Sequence, residues 1–140
     1  MNVQSLCGQL HKTGCLAFCY ARIATDGYGG AERDRDIHCI KRICFAQEIG
    51  LLEGDFTVKD AAKLIHTVNP LVKASVEKRK ISSLEDVKAY EYACVNYVYG
   101  NKNHWIWVKY GQKFYNPLDY SECVAKGNPV DARIVTIKEV

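Results

Sequence analysis

Apolar residues recur at helical spacing over the first two-thirds of the chain and then switch to alternation. In residues 15–25, Cys15, Cys19 and Arg22/Ile23 fall on one helical face with Leu16 beside them. Thr13-Gly14 marks the start of that helix. Asp26-Gly27-Tyr28-Gly29-Gly30 ends it, because glycine supplies the φ > 0 positions a turn needs. A second helix is predicted over 34–49, with Ile37, Ile40, Cys44 and Phe45 as its apolar stripe and Gly50 at the C-cap. A third is predicted to begin at Thr57, with Asp60 completing a capping-box pattern. It carries Ala61, Leu64, Ile65 and Val68 and closes at Pro70. A short fourth, capped by Ser83 with Asp86, runs through Leu84, Val87 and Tyr90.

The period then becomes two. Residues 92–99 are rich in Tyr, Val and Cys and read as strand. Residues 100–103 read as a turn and 104–110 as the strongest strand. Gly111-Gln112 turns the chain back into a strand over 113–115, and Asn116-Pro117 breaks it, since proline has no ladder donor. A last strand is predicted over 132–138. Helices first and strands afterwards predict one α+β domain over 1–140, with helices segregated from an antiparallel sheet.

Composition narrows the class. The chain has 140 residues, 48% apolar and 25% charged, enough for one ordinary globular core. No apolar run approaches the ~20 residues a membrane span requires. The stretch from Met1 to Gln9 has no basic region leading into an apolar segment and reads as no secretory signal. A net charge of +3, spread along the chain, is too mild to imply nucleic acid, and no nucleic-acid partner is expected. The densest basic run, Lys78-Arg79-Lys80, reads as a solvated face or turn. Seven cysteines, an odd count without a signal segment, read as a reduced, cytoplasmic set.

One of those cysteines is placed for chemistry. Cys15 follows a glycine at a predicted first helical turn, where backbone N–H groups and the helix dipole stabilise a thiolate. A thiolate attacks carbonyl carbon when a base manages the protons and donors hold the oxyanion. His104 opens a strand directly after a turn, at a sheet margin. Asn116 closes the next strand, where an antiparallel hairpin brings cross-strand neighbours within ~5 Å to fix the ring's orientation. Gln9, six residues before Cys15, offers a side-chain amide for an oxyanion hole. Asp119 is a reserve orienting residue. His11, His38 and His66 read as surface or satisfied side chains, and Cys7, Cys19, Cys39, Cys44, Cys94 and Cys123 as structural. The spacing of His38-Cys39 and Cys44 does not fit a paired zinc motif, so no metal is expected. Trp105 and Trp107 fit a groove wall or the cover of the helical layer.

Gln9-x5-Cys15 before a helix, Cys19 four residues on, His104-Trp105 opening a strand and Asn116-Pro117 after the next together resemble the papain-like cysteine peptidase clan. Within it they are most similar to the bacteriocin-leader-processing (double-glycine) peptidase branch. That branch usually carries Asp before the Pro; this chain has Asn116, as papain does. The resemblance implies a papain-like fold, with N-terminal helices packed on a C-terminal antiparallel sheet. It implies Cys15 as nucleophile, His104 as base, Asn116 as the His-orienting residue and Gln9 as oxyanion donor. It further implies hydrolysis of a peptide or isopeptide bond in a peptide or protein substrate, without a cofactor. The same residues would also suit a transglutaminase- or acyltransferase-like thiol enzyme, or persist in a non-catalytic binding module of that fold.

Overall fold

A computed structural model describes residues 14–109, 112–115 and 121–140, with backbone alone at 112, 114 and 115. The architecture is mixed α+β, helices preceding an antiparallel sheet. The chain divides into two compact units, Met1–Ala74 with Ile137–Val140, and Ser75–Thr136.

The first unit holds α1 (Cys15–Ala24), α2 (Glu32–Glu48) and α3 (Ala61–Val68). The first two follow the apolar spacing within a residue or two of the predicted bounds. Glu32 and Asp34 lie in the first turn of α2, where negative side chains suit the helix dipole. Gly50, at φ 85, follows its end as a glycine C-cap should. The third differs from expectation: Asp60 is itself the N-cap, its carboxylate accepting the Lys63 N–H at 3.0 Å. Residues ahead of it are used otherwise, in a bridge between Leu52 and Val58. Helix α1 packs against both α2 and α3, with Phe18, Ile23, Ile43, Leu64 and Ile65 fully buried.

Polar ties hold the C-terminal end of α1. Arg22, 2% exposed, pairs with Glu32 at 2.8 Å and with Asp36 at 2.8 Å. A guanidinium is costly to bury unless it is paired and hydrogen-bonded, and these two carboxylates compensate it. In turn Arg22 holds the Glu32 carboxyl below the usual carboxylate range. Asn69 donates its side-chain amide to the Ala24 carbonyl at 2.9 Å, joining the end of α3 to the end of α1.

The second unit is built on a sheet in the order β1-β5-β2-β3-β4. Its strands are β1 (Val72–Lys80), β2 (Tyr92–Tyr99), β3 (Lys102–Lys109), β4 (Gln112–Tyr115) and β5 (Asn128–Glu139), of which β1 and β5 cross the sequence boundary between the units. The β2–β3 hairpin keeps its register from Tyr92↔Lys109 to Tyr99↔Lys102. Only Gly100 and Asn101 are left as its loop, shorter than the predicted 100–103, with Gly100 at φ 62 as a two-residue hairpin turn demands.

Strand β1 and a short helix α4 (Glu122–Lys126) were not expected. Every residue of β1 is half-buried or exposed, as at a sheet edge, and its short alternation of Val72, Ala74 and Val76 gives way to the charged run 77–80. The predicted helix after Ser83 is a single 3₁₀ turn, Leu84–Asp86, with the expected capping box. It stops before Tyr90 because the Glu91 carboxylate accepts the Lys88 N–H at 2.8 Å and pairs with Arg79 at 2.8 Å, turning the chain into β2. Strand β5 starts earlier than the predicted 132–138 and takes in Pro129 beside a register shift, where proline is tolerated. One face of the sheet (Ala93, Val95, Ile106, Val108, Ala132, Ile134) joins Ile81, Val87 and Cys123 in one apolar cluster.

Candidate functional site

Cys15 is the first residue of α1 and is 8% exposed. The helix starts there without a side-chain cap: Gly14 takes the N-cap place, and its carbonyl accepts the Phe18 N–H at 2.9 Å. The N–H groups of Cys15, Leu16 and Ala17 therefore precede the helical ladder and point out of its amino end. No acidic side chain sits in that first turn to offset the positive end of the dipole. A helix amino end of this kind favours a nearby anion, while the burial of Cys15 works against one.

For two other thiols of the same unit, burial is the dominant influence. Cys39 is fully buried, its sulfur 3.6 Å from the Thr25 hydroxyl, and burial pushes its pKa from an ordinary 9.0 to about 11. Burial likewise raises Cys44. Neither supplies thiolate near neutral pH. For Cys39 this has a consequence at alkaline pH. The folded protein keeps a neutral thiol that the unfolded chain ionises, so this contribution is complete below pH 9 and is lost as pH rises to about 11. It amounts to roughly 2–3 kcal/mol. Thermal melts of Cys39→Ala should therefore decline less steeply over that interval than those of the parent protein; parallel declines would contradict the assignment.

His104 belongs to the second unit, at the third position of β3 and directly opposite Tyr97 on β2. It is 4% exposed and the one buried histidine among the described residues. His38 and His66 are satisfied by main-chain carbonyls, Nε2 of His38 at 3.1 Å from Val68 and Nδ1 of His66 at 2.8 Å from Val72. His38 and Cys39 thus engage different partners, which agrees with reading them as structural. Strand alternation puts His104 on the face of Ile106 and Val108, at the margin of the apolar cluster.

Register brings together neighbours that residue spacing did not reveal. Tyr97 lies across from His104, burial raises its phenol pKa, and the Lys113 ammonium stands over its ring at 5.2 Å. On the opposite sheet face the Arg133 guanidinium stacks on Trp105 at 5.0 Å, while Trp107 is 1% exposed and meets Tyr92 edge-on at 6.2 Å. Trp107 is therefore a core side chain and not a groove wall. These pairings could have been found only by aligning strands against one another. Once 92–99 and 102–109 are joined by a two-residue loop, Tyr97 must face His104.

Of the residues predicted to act together, Cys15 lies in the first unit and His104 in the second. Gln9, Asn116 and Asp119 fall outside the described residues. The last described pair of the β3–β4 ladder is Trp107↔Tyr115, immediately before Asn116 in sequence. Among the described residues no helix is long and apolar enough to cross a membrane, and no group of three or more His, Cys, Asp or Glu could hold a metal ion. No protein-family model, curated protein or solved structure matches the chain.

Proposed function

We propose that the protein is a papain-like thiol hydrolase of the bacteriocin-leader-processing type that cleaves an amide bond in a peptide or protein. The observation that carries this reading is the seat of Cys15 as the first residue of α1, at a helix amino end with no acidic side chain in its first turn. In the proposed reaction the Cys15 thiolate attacks the amide carbon, and the Cys15 N–H with the Gln9 side chain holds the oxyanion. His104, oriented by Asn116, gives its proton to the departing amine. It then takes one from water, which hydrolyses the thioester and restores the thiol. The chemistry uses no cofactor, and it suits a reducing compartment in which Cys39, Cys44, Cys94 and Cys123 stay free thiols.

A second reading, a non-catalytic module of the same kind, draws on the 4% exposure of His104 and its place beside the apolar cluster. Thiol reactivity separates the two. At pH 6, iodoacetamide should label Cys15, located by mass spectrometry of the digested protein, roughly tenfold faster than free cysteine. Labelling no faster than free cysteine would remove the hydrolase reading and leave the module. If the thiol is activated, peptide substrates tried with and without an added amine acceptor distinguish hydrolysis from acyl transfer.

A further inference from the structure

We propose that the outer edge of β1, with the groove at its end, is a docking site for an extended acidic peptide that adds to the sheet as a further strand. The site lies wholly within residues 75–136 and does not depend on the role of Cys15.

Hydrogen bonding fixes which way the edge faces. Ile81 donates its N–H to the Val130 carbonyl at 3.1 Å, and Lys80 meets Asp131 at 3.1 Å as its opposite number. In an antiparallel pair, residues whose N–H and C=O face the partner alternate with residues whose groups face away. Ile81, Arg79 and Glu77 therefore bond towards β5, and the backbone groups of Val76, Lys78 and Lys80 point outward. β1 ends the strand order, and among the described residues no strand pairs with that side.

A groove of about 680 Å³ continues from this edge, lined in part by Arg79, Lys80, Asp86, Lys88, Tyr90 and Glu91. Its acidic groups are already engaged. The Asp86 carboxylate accepts the N–H groups of Ser82 at 2.9 Å and Ser83 at 3.2 Å. Glu91 accepts two bonds from Arg79, at 2.8 and 3.0 Å, which also neutralises that guanidinium. The cations and aromatic ring left exposed are Lys78, Lys88, the Lys80 side chain at 90% exposure and Tyr90 at 81%, while the exposed Glu77 is held by Arg79 at 3.2 Å. The Lys80–Asp131 pair is a surface ion pair of small worth, so the ammonium can turn to a ligand carboxylate.

Charge complementarity selects the occupant. Lysines on an edge strand discourage pairing with a second copy of the same edge, because like charges would be brought together. The same lysines attract a strand that carries carboxylates. Outward N–H and C=O groups at strand spacing match a peptide backbone, and strand addition draws its affinity from those main-chain bonds. Arg79 is consumed internally, which removes the bidentate donor that phosphate recognition favours.

The test uses the full chain and a fluorescein-labelled decapeptide of alternating Glu and Thr, compared by anisotropy with its Lys-Thr counterpart. The acidic peptide should bind at least about tenfold tighter, and more weakly as salt rises through the range where exposed charges are screened. N-methylation of alternate peptide residues on the pairing side should abolish binding. Amide exchange of Lys78 and Lys80 should slow in the complex while that of Arg79 stays unchanged. Lys78→Glu with Lys88→Glu should reverse the preference between the peptides. The methylation and exchange measurements on the unmutated protein stand even if that variant fails to fold. No binding, equal binding of both peptides, binding that survives N-methylation, or unchanged exchange at Lys78 and Lys80 would each overturn the proposal. So would tighter binding of a single-stranded oligonucleotide than of the acidic peptide.

Discussion

His104→Ala should bring the alkylation of Cys15 at pH 6 down roughly tenfold, to the rate of free cysteine, and should lower amide cleavage by three orders of magnitude or more. The first figure follows from two opposed effects. An imidazolium partner at a helix amino end can lower a thiol pKa from about 8.5 to about 6, raising the thiolate fraction at pH 6 by about two orders of magnitude. The less basic thiolate is intrinsically slower, by about one order for such a shift. The difference is the tenfold that the substitution removes. Cleavage falls further because the leaving amine loses its proton donor as well. Cys15→Ser tests the same proposal from the other side and should abolish cleavage with the fold intact by circular dichroism. Alkylation unchanged in His104→Ala would separate the imidazole from the thiol and end the proposed pairing.

Gly127→Ala should be the most damaging single methyl in the sheet unit. Gly127 closes α4, its N–H donated to the Cys123 carbonyl at 3.0 Å, and its φ of −92° suits any residue. The constraint is room. A Cβ there would run into the carbonyl oxygens of Val98 and Cys123, both backbone atoms that cannot swing aside. Forcing α4 off β2 should cost roughly 3 kcal/mol, at the upper end for overpacking. In a chain of this length that is a fall of roughly 10 °C in Tm. Gly29→Ala is the control, since a Cβ on Gly29 meets nothing within 4 Å and its φ is not positive. Equal melting of the two variants would show that the close approach is relieved at little cost. Cys123 shares the apolar cluster with Tyr97, which lies opposite His104, so the displacement is directed into the core beside that histidine.

What could be read in advance is what depends on neighbours in the chain. Helix α1 begins at Cys15, and β2 spans Tyr92–Tyr99, where apolar period and turn residues put them. Ser83 and Asp86 make the expected capping box, since its atoms lie within three residues of one another. The placement of a thiol at a helix start was legible for the same reason. Where local signals competed, distant partners decided. Thr57 and Asp60 are both good cap residues, and the Leu52–Val58 bridge takes the first of them out of the helix. The turn after Asp86 is short because Arg79, on another strand, holds Glu91.

By itself, then, the order of residues determined the α+β class, most helix and strand positions, and a cysteine at the first position of a helix. Tertiary structure alone made Lys78-Arg79-Lys80 part of an edge strand, set Tyr97 across from His104 and buried Trp107. The physical reason is the range of the forces involved. Caps and periodicity act over one or two turns and are written locally. Strand partnership, burial and charge pairing join residues tens of positions apart, and their energies exist only once the chain has closed on itself.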